Sequence, residues 1–207
     1  MNDVFNLASS MKKFYTYFES IISRYRFITV VAASSSMLLA GCTTDITEYK
    51  RQVESQSFDI KTYFSGDLIA YGIVQDYTQK VTRRFCVELN GTWDKSKGIL
   101  AEKFFFQDGE ISYRNWNLTK VSEKHYQGTA EDVEGVAKGR LSGFAFQFTY
   151  DLLLAVENDT YSVSMDDWMY QIDEYRVINH TTMSKLGITV AKISIFFDKE
   201  TPHQQCQ

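Results

Sequence analysis

The stretch that most constrains this chain is "FAFQFTYDLLL", where Phe144, Phe146, Phe148, Tyr150 and Leu152 fall on every second position. Only an extended backbone puts residues i and i+2 on one side, so the pattern predicts a strand with a buried aromatic face and excludes an amphipathic helix there. The same alternation recurs in short runs such as "VTRRFCVEL", "LAEKFFF", "EISYRNW" and "TYSVSMDDWMYQI". Aromatic residues make up 15% of the chain and proline occurs once, at Pro202, a composition that favours strands and interrupts none of them.

Turn residues divide these runs. "FDIKTYF" reads as a strand-like run ending at Ser65-Gly66, followed by "DLIAYGIVQDY" and "KVTRRFCVEL". Asn90-Gly91 and Asp108-Gly109 read as turns, because both residue types tolerate positive φ. "KHYQGTAEDVEGVAKGRL" is a glycine-punctuated pair of strands. One segment differs: in "INHTTMSKLG", Asn179 suits a helix N-cap and Gly187 the left-handed position after a helix end, which predicts a short helix before the last strand, "ITVAKISIFF". Eight or more antiparallel strands at this spacing make a sandwich or a closed barrel. The barrel has no unpaired edge, and the expected fold is an all-β, antiparallel, lipocalin-like (calycin-type) barrel.

The alternation also assigns charged residues to apolar faces. Arg83 falls with Val81, Phe85, Val87 and Leu89, Glu102 with Leu100, Phe104 and Phe106, and Arg114 with Trp116 and Leu118. A lone charge in a low-dielectric interior costs several kcal/mol, so these groups need partners. A salt-bridge network inside the barrel is one answer. A ligand is the other, with Arg83, Glu102, Arg114 and Trp116 as its binding residues, the two arginines gripping a carboxylate or phosphate head and the aromatic stripe taking an apolar tail.

Catalytic signals are weak, and no catalytic residue is assigned. "MDDWMYQID" gathers Asp166, Asp167 and Asp173, the candidates for a hydrolase, but neighbouring residues on a strand face opposite ways, which separates Asp166 from Asp167. His125, His180 and His203 are scattered, with no metal-ligand spacing and no cofactor motif.

The N-terminus carries an address. Lys12, Lys13, Arg24 and Arg26 precede the apolar run Phe27 to Ala40, which is too short to span the ~30 Å hydrocarbon layer as a helix. A basic flank, a short apolar run and small residues at its end predict a signal peptide over residues 1–41, with Met11 an alternative start. Leu39-Ala40-Gly41-Cys42 resembles the lipobox of bacterial lipoproteins. The resemblance implies cleavage before Cys42, acylation of its thiol and amine, and a membrane anchor of acyl chains. Thr43 at the second mature position implies the outer membrane, facing the periplasm. Removing 41 of 207 residues leaves 166, and losing four basic and two acidic residues moves the net charge from −4 to −6. An acidic chain argues against nucleic acid as a partner. Cys86, in a strand pattern, reads as a small packed residue; in an oxidising compartment a disulfide to Cys206 is the alternative.

The segments "YFSGDLIAYGIVQDY", "VTRRF", "GTWD", "DGEISYRNW", "YQGTAEDVEGVAKG", "DDWMYQID" and "INHTTMSKLGITVAKISIFF" together resemble a bacterial lipoprotein family, domain of unknown function 3833. The resemblance implies a compact β-rich domain behind a lipobox in Gram-negative bacteria, and no activity. Gly91-Thr92-Trp93 resembles the G-x-W of the first lipocalin strand. The expected organisation is a signal peptide (1–41), a tether (42–57), a barrel (58–198) and a polar tail (199–207). The expected function is a lipid-anchored binding protein for a small amphipathic ligand, such as a fatty acid. An envelope scaffold with an unspecified protein partner, and a hydrolase of envelope lipids or glycans, are the alternatives.

Overall fold

The computed structural model describes residues 44–51, 58–156, 159–201 and 205–206. The signal segment and Cys42 lie outside the described residues. The described residues form ten strands: β1 (Gly66–Asp76), β2 (Val81–Asp94), β3 (Lys97–Phe106), β4 (Ile111–Ser122), β5 (His125–Thr129), β6 (Val133–Ser142), β7 (Ala145–Val156), β8 (Asp159–Gln171), β9 (Arg176–Lys185) and β10 (Ile188–Asp198). Each pairs antiparallel with its sequence neighbours, and β1 pairs with β10, closing the sheet into a lipocalin-like barrel. The alternation sets the inside, where Phe146, Phe148, Leu152 and Leu154 of β7 meet Phe85, Val87 and Leu89 of β2 in one buried core.

A single-turn helix, α1 (Ile60–Tyr63), plugs the end where β1 begins. It stands where "FDIKTYF" suggested a strand, because the Asp59 carboxylate accepts the Thr62 amide at 3.0 Å and caps the turn. Phe58, Ile60, Tyr63 and Phe64 are buried in the barrel end. The amide of Phe58 bonds the Gly143 carbonyl, the Tyr63 hydroxyl donates to the Tyr175 carbonyl, and Lys61 Nζ donates to the Lys95 carbonyl. These contacts tie α1 to three of the turns at its own end.

Asn90-Gly91 is not a turn. It lies inside β2, whose turn to β3 comes later, at Lys95 (φ 53°). Glycine is needed at 91 because the Phe64 carbonyl packs directly against its Cα, and the same carbonyl accepts the Trp93 indole N–H at 3.3 Å. The G-x-W residues therefore clamp the end of α1 from the second strand.

The helix expected over "INHTTMSKLG" is β9. Val177, Asn179, Thr181 and Met183 alternate inward and are buried, a period-2 pattern whose burial overrides the weak cap signals. Gly187 and Leu186 both have positive φ, 78° and 51°, and make the tight hairpin turn into β10. The short helix thus comes before the first strand, not before the last.

Three smaller expectations also change. A bulge pairs Val74 with Arg83 and Gln75 with Val81, which turns Val81 out to solvent instead of inward. Part of the expected tether, Ile46–Arg51, is a 3₁₀ segment against the outer wall; Ile46 is buried and the Tyr49 ring lies 5.4 Å from Phe144 and 5.9 Å from Trp168. The polar tail is also fastened. Lys199 Nζ donates to the carbonyls of Thr62, Tyr63 and Ser65 at 3.0, 2.8 and 2.7 Å, and Cys206 forms a disulfide with Cys86.

Candidate functional site

Inside the barrel is a cavity of about 120 Å³. Its walls are mainly apolar, including Phe85, Phe104, Trp116, Phe148, Met165 and Met183. The rings pack against each other at angles, with Trp116 5.1 Å from Phe148 and 5.2 Å from Tyr150. Met165, Met169 and Met183 add unbranched thioether chains that repack readily around a guest.

All four residues expected to bind a ligand, Arg83, Glu102, Arg114 and Trp116, line this cavity. Both arginines already hold carboxylates, while Arg83 Nε and Nη1 are buried without a hydrogen-bond partner among the described residues. Arg83 Nη2 donates to Asp108 at 2.9 Å and Glu110 at 2.8 Å, both in or beside the β3–β4 turn, and its guanidinium lies 3.6 Å from the centre of the Phe106 ring. Arg114 Nε and Nη2 both donate to Asp132 Oδ2, at 3.0 and 2.5 Å. Asp132 sits in the β5–β6 turn, at the end opposite α1, and is folded inward and buried. Both arginines are thus ion-paired, as the salt-bridge reading expected, and both also line the cavity.

Glu102 and Arg114 stand directly opposite each other on β3 and β4. Burial pushes the Glu102 carboxyl up to about 7, against the pull of the Arg114 charge and with Asp132 and Asp167 adding to the rise. Asp167 turns inward from β8 as the alternation requires, while Asp166 faces outward and bonds Gln147 and Trp168. Burial raises the Asp167 carboxyl to about 6, with the neighbouring Thr181 and Tyr150 hydroxyls and Arg114 working against it. Tyr150 is held well above its ordinary range by burial and by the Asp167 charge. Asp173 lies elsewhere, in the β8–β9 turn, paired with Arg176 at 2.8 Å. The three aspartates considered for hydrolysis are thus not assembled.

Sequence reasoning missed Asp167, Asn179 and Thr181 as members of this site. The inward phase of Val163, Met165, Asp167 and Met169 carried the signal for the first. The helix assignment hid the other two. Among the described residues no group of three or more His, Cys, Asp or Glu side chains has the arrangement of a metal site.

A closed barrel around a mostly apolar cavity with a few convergent polar groups defines a lipocalin-like protein. Residues 36–199 match the family described as protein of unknown function DUF3833, and the chain belongs to that family. No curated protein matches its sequence. Among solved structures it is similar to an S-type phycobiliprotein lyase, CPES, from Guillardia theta, with a TM-score of 0.52 and 6% identity over 71% of this chain and 92% of that one. At that identity the likeness is one of fold.

Proposed function

We propose that this protein is a lipid-anchored, periplasm-facing carrier that holds a small amphipathic ligand inside its barrel. The observation that carries the ligand is the interior cavity, where aromatic and methionine side chains surround Glu102, Arg114 and Asp167. Ligand sites are largely apolar with a few placed polar groups, and this one has that composition. Its volume suits an apolar body about the size of one aromatic ring, comparable to the ~150 Å³ cavity that holds benzene. A longer chain would need the methionines to move.

The sequence Leu39-Ala40-Gly41-Cys42 supports the anchor, and a disulfide between Cys86 and Cys206 suits an oxidising compartment. Native mass spectrometry after gentle purification tests the ligand: a bound small molecule is expected, and a barrel that is empty and takes up no apolar probe would overturn the reading. Cell fractionation tests the anchor. Cys42→Ser is expected to move the protein from the membrane to the soluble fraction, and unchanged membrane recovery would remove Cys42 as its attachment.

A further inference from the structure

The cavity wall carries two arginines, Arg83 and Arg114, and two carboxyls, Glu102 and Asp167, and the arginines are answered by further carboxylates outside that wall. Of its two arginines, Arg83 is met by Asp108 and Glu110, and Arg114 commits two donors to Asp132. Glu102 and Asp167 remain, both in the cavity wall and neither in an ion pair within 4 Å among the described residues. Asp167 is only 7% exposed, and its Oδ1 has no hydrogen-bond partner among the described residues. The rings of Trp116, Phe148 and Tyr150 stand around the same space. Ring faces carry negative charge density, so walls and carboxyls favour the same sign.

We infer that the cavity selects a small organic cation, an amine or quaternary ammonium on a ring-sized apolar body, seated on Asp167 and Glu102 against Trp116 and Tyr150. The inference rests on the cavity being a ligand site and names the charge of its ligand. Arg83 Nε and Nη1 are buried without a hydrogen-bond partner among the described residues, but the Arg83 charge is already met by Asp108 and Glu110, so an anion would gain donors there while meeting the further carboxyls that face the space. A cation restores the balance, and the low-dielectric interior makes that attraction stronger than it is in water. The charged groups facing Glu102 are Arg114, Asp132 and Asp167; those facing Asp167 are Arg114 and Glu102, with the Tyr150 and Thr181 hydroxyls beside it and the outward Asp166 next to it along the strand. With both carboxyls raised by burial, a cation must displace protons to bind near neutral pH, so its affinity rises with pH.

Calorimetric titration of the full chain with benzylamine, benzyl alcohol and benzoate, three probes of nearly equal size, tests this. At about pH 8 benzylamine is expected to bind at least about tenfold more tightly than benzoate, and to weaken about tenfold or more by about pH 5. Asp167→Asn is expected to weaken benzylamine by about tenfold or more. Should that variant fail to fold, the pH comparison on the unsubstituted chain decides. Equal or tighter binding of benzoate or benzyl alcohol, a benzylamine affinity that ignores pH, or an Asp167→Asn variant that binds it unchanged would each overturn the cation assignment while leaving a ligand site in place. Binding of none of the three would overturn both.

Discussion

A methyl group added at Gly91 would stand 1.6 Å from the carbonyl oxygen of Phe64, the residue that ends α1. The obstacle is backbone, not the flexible tip of a side chain, so neither partner has room to give. Gly91→Ala is therefore expected to lift α1 out of the barrel end and destabilise the fold by about 3 kcal/mol. Urea denaturation of the variant checks this. An unchanged midpoint would mean that α1 does not clamp that end.

Arg114 and Asp132 form a buried pair with two hydrogen bonds, and removing one partner strands the other charge. Asp132→Asn and Arg114→Met are each expected to cost about 3–5 kcal/mol, whereas Arg114→Met combined with Asp132→Leu recovers most of the loss. A double-mutant cycle by urea denaturation measures the coupling. Because Arg114 opposes the rise at both Glu102 and Asp167, Arg114→Met should push those two carboxyls higher still, which carboxyl titration by NMR would detect.

Glu102 and Asp167 hold their protons more tightly in the folded chain, at about 7 and about 6 against ordinary values of 4.5 and 3.8. Between those limits the folded state binds more protons than the unfolded one, so stability falls as pH rises. Their contribution is whole below about pH 4 and gone above about pH 7, each group accounting for at most on the order of 3 kcal/mol. Asp76 and Asp173 act in the opposite direction, since hydroxyl and amide donors in their turns lower them and their contribution is lost only in stronger acid. Thermal unfolding followed by circular dichroism is expected to show a higher midpoint near pH 5 than near pH 8, with Glu102→Gln narrowing the gap. A midpoint that rises toward pH 8 would contradict the burial of these carboxyls.

Cys86 and Cys206 are separated by 120 residues, and their bond holds the tail to the β2 wall, where the Cys206 amide also donates to Glu88 at 3.1 Å. Cys86→Ser is expected to reduce stability by about 2–5 kcal/mol, mostly by freeing a long loop in the unfolded chain. Urea denaturation with and without reductant checks it: reductant should shift the unsubstituted protein toward the variant and leave the variant where it is.

The inward set was largely legible in the sequence. Phe146, Phe148 and Tyr150, or Leu100, Glu102 and Phe104, announce their side by a two-residue period that needs no knowledge of the rest of the fold. Short cues misled wherever a distant contact gave them another use. Asn90-Gly91 looks like a turn but is a gap left for Phe64, and Gly187 looks like a helix end but turns a hairpin.

Sequence alone therefore determined that the chain is a β-structure with charges among its inward residues, because alternation is a property of neighbours two apart. Only the closed barrel decided who answers those charges. Asp108 lies 25 residues from Arg83, and Asp132 lies 18 residues from Arg114. Strand pairing fixes which turns sit above which side chains, and no local pattern encodes it. The balance of charge left inside, with Glu102 and Asp167 beyond what the arginines satisfy, is a property of that assembled interior.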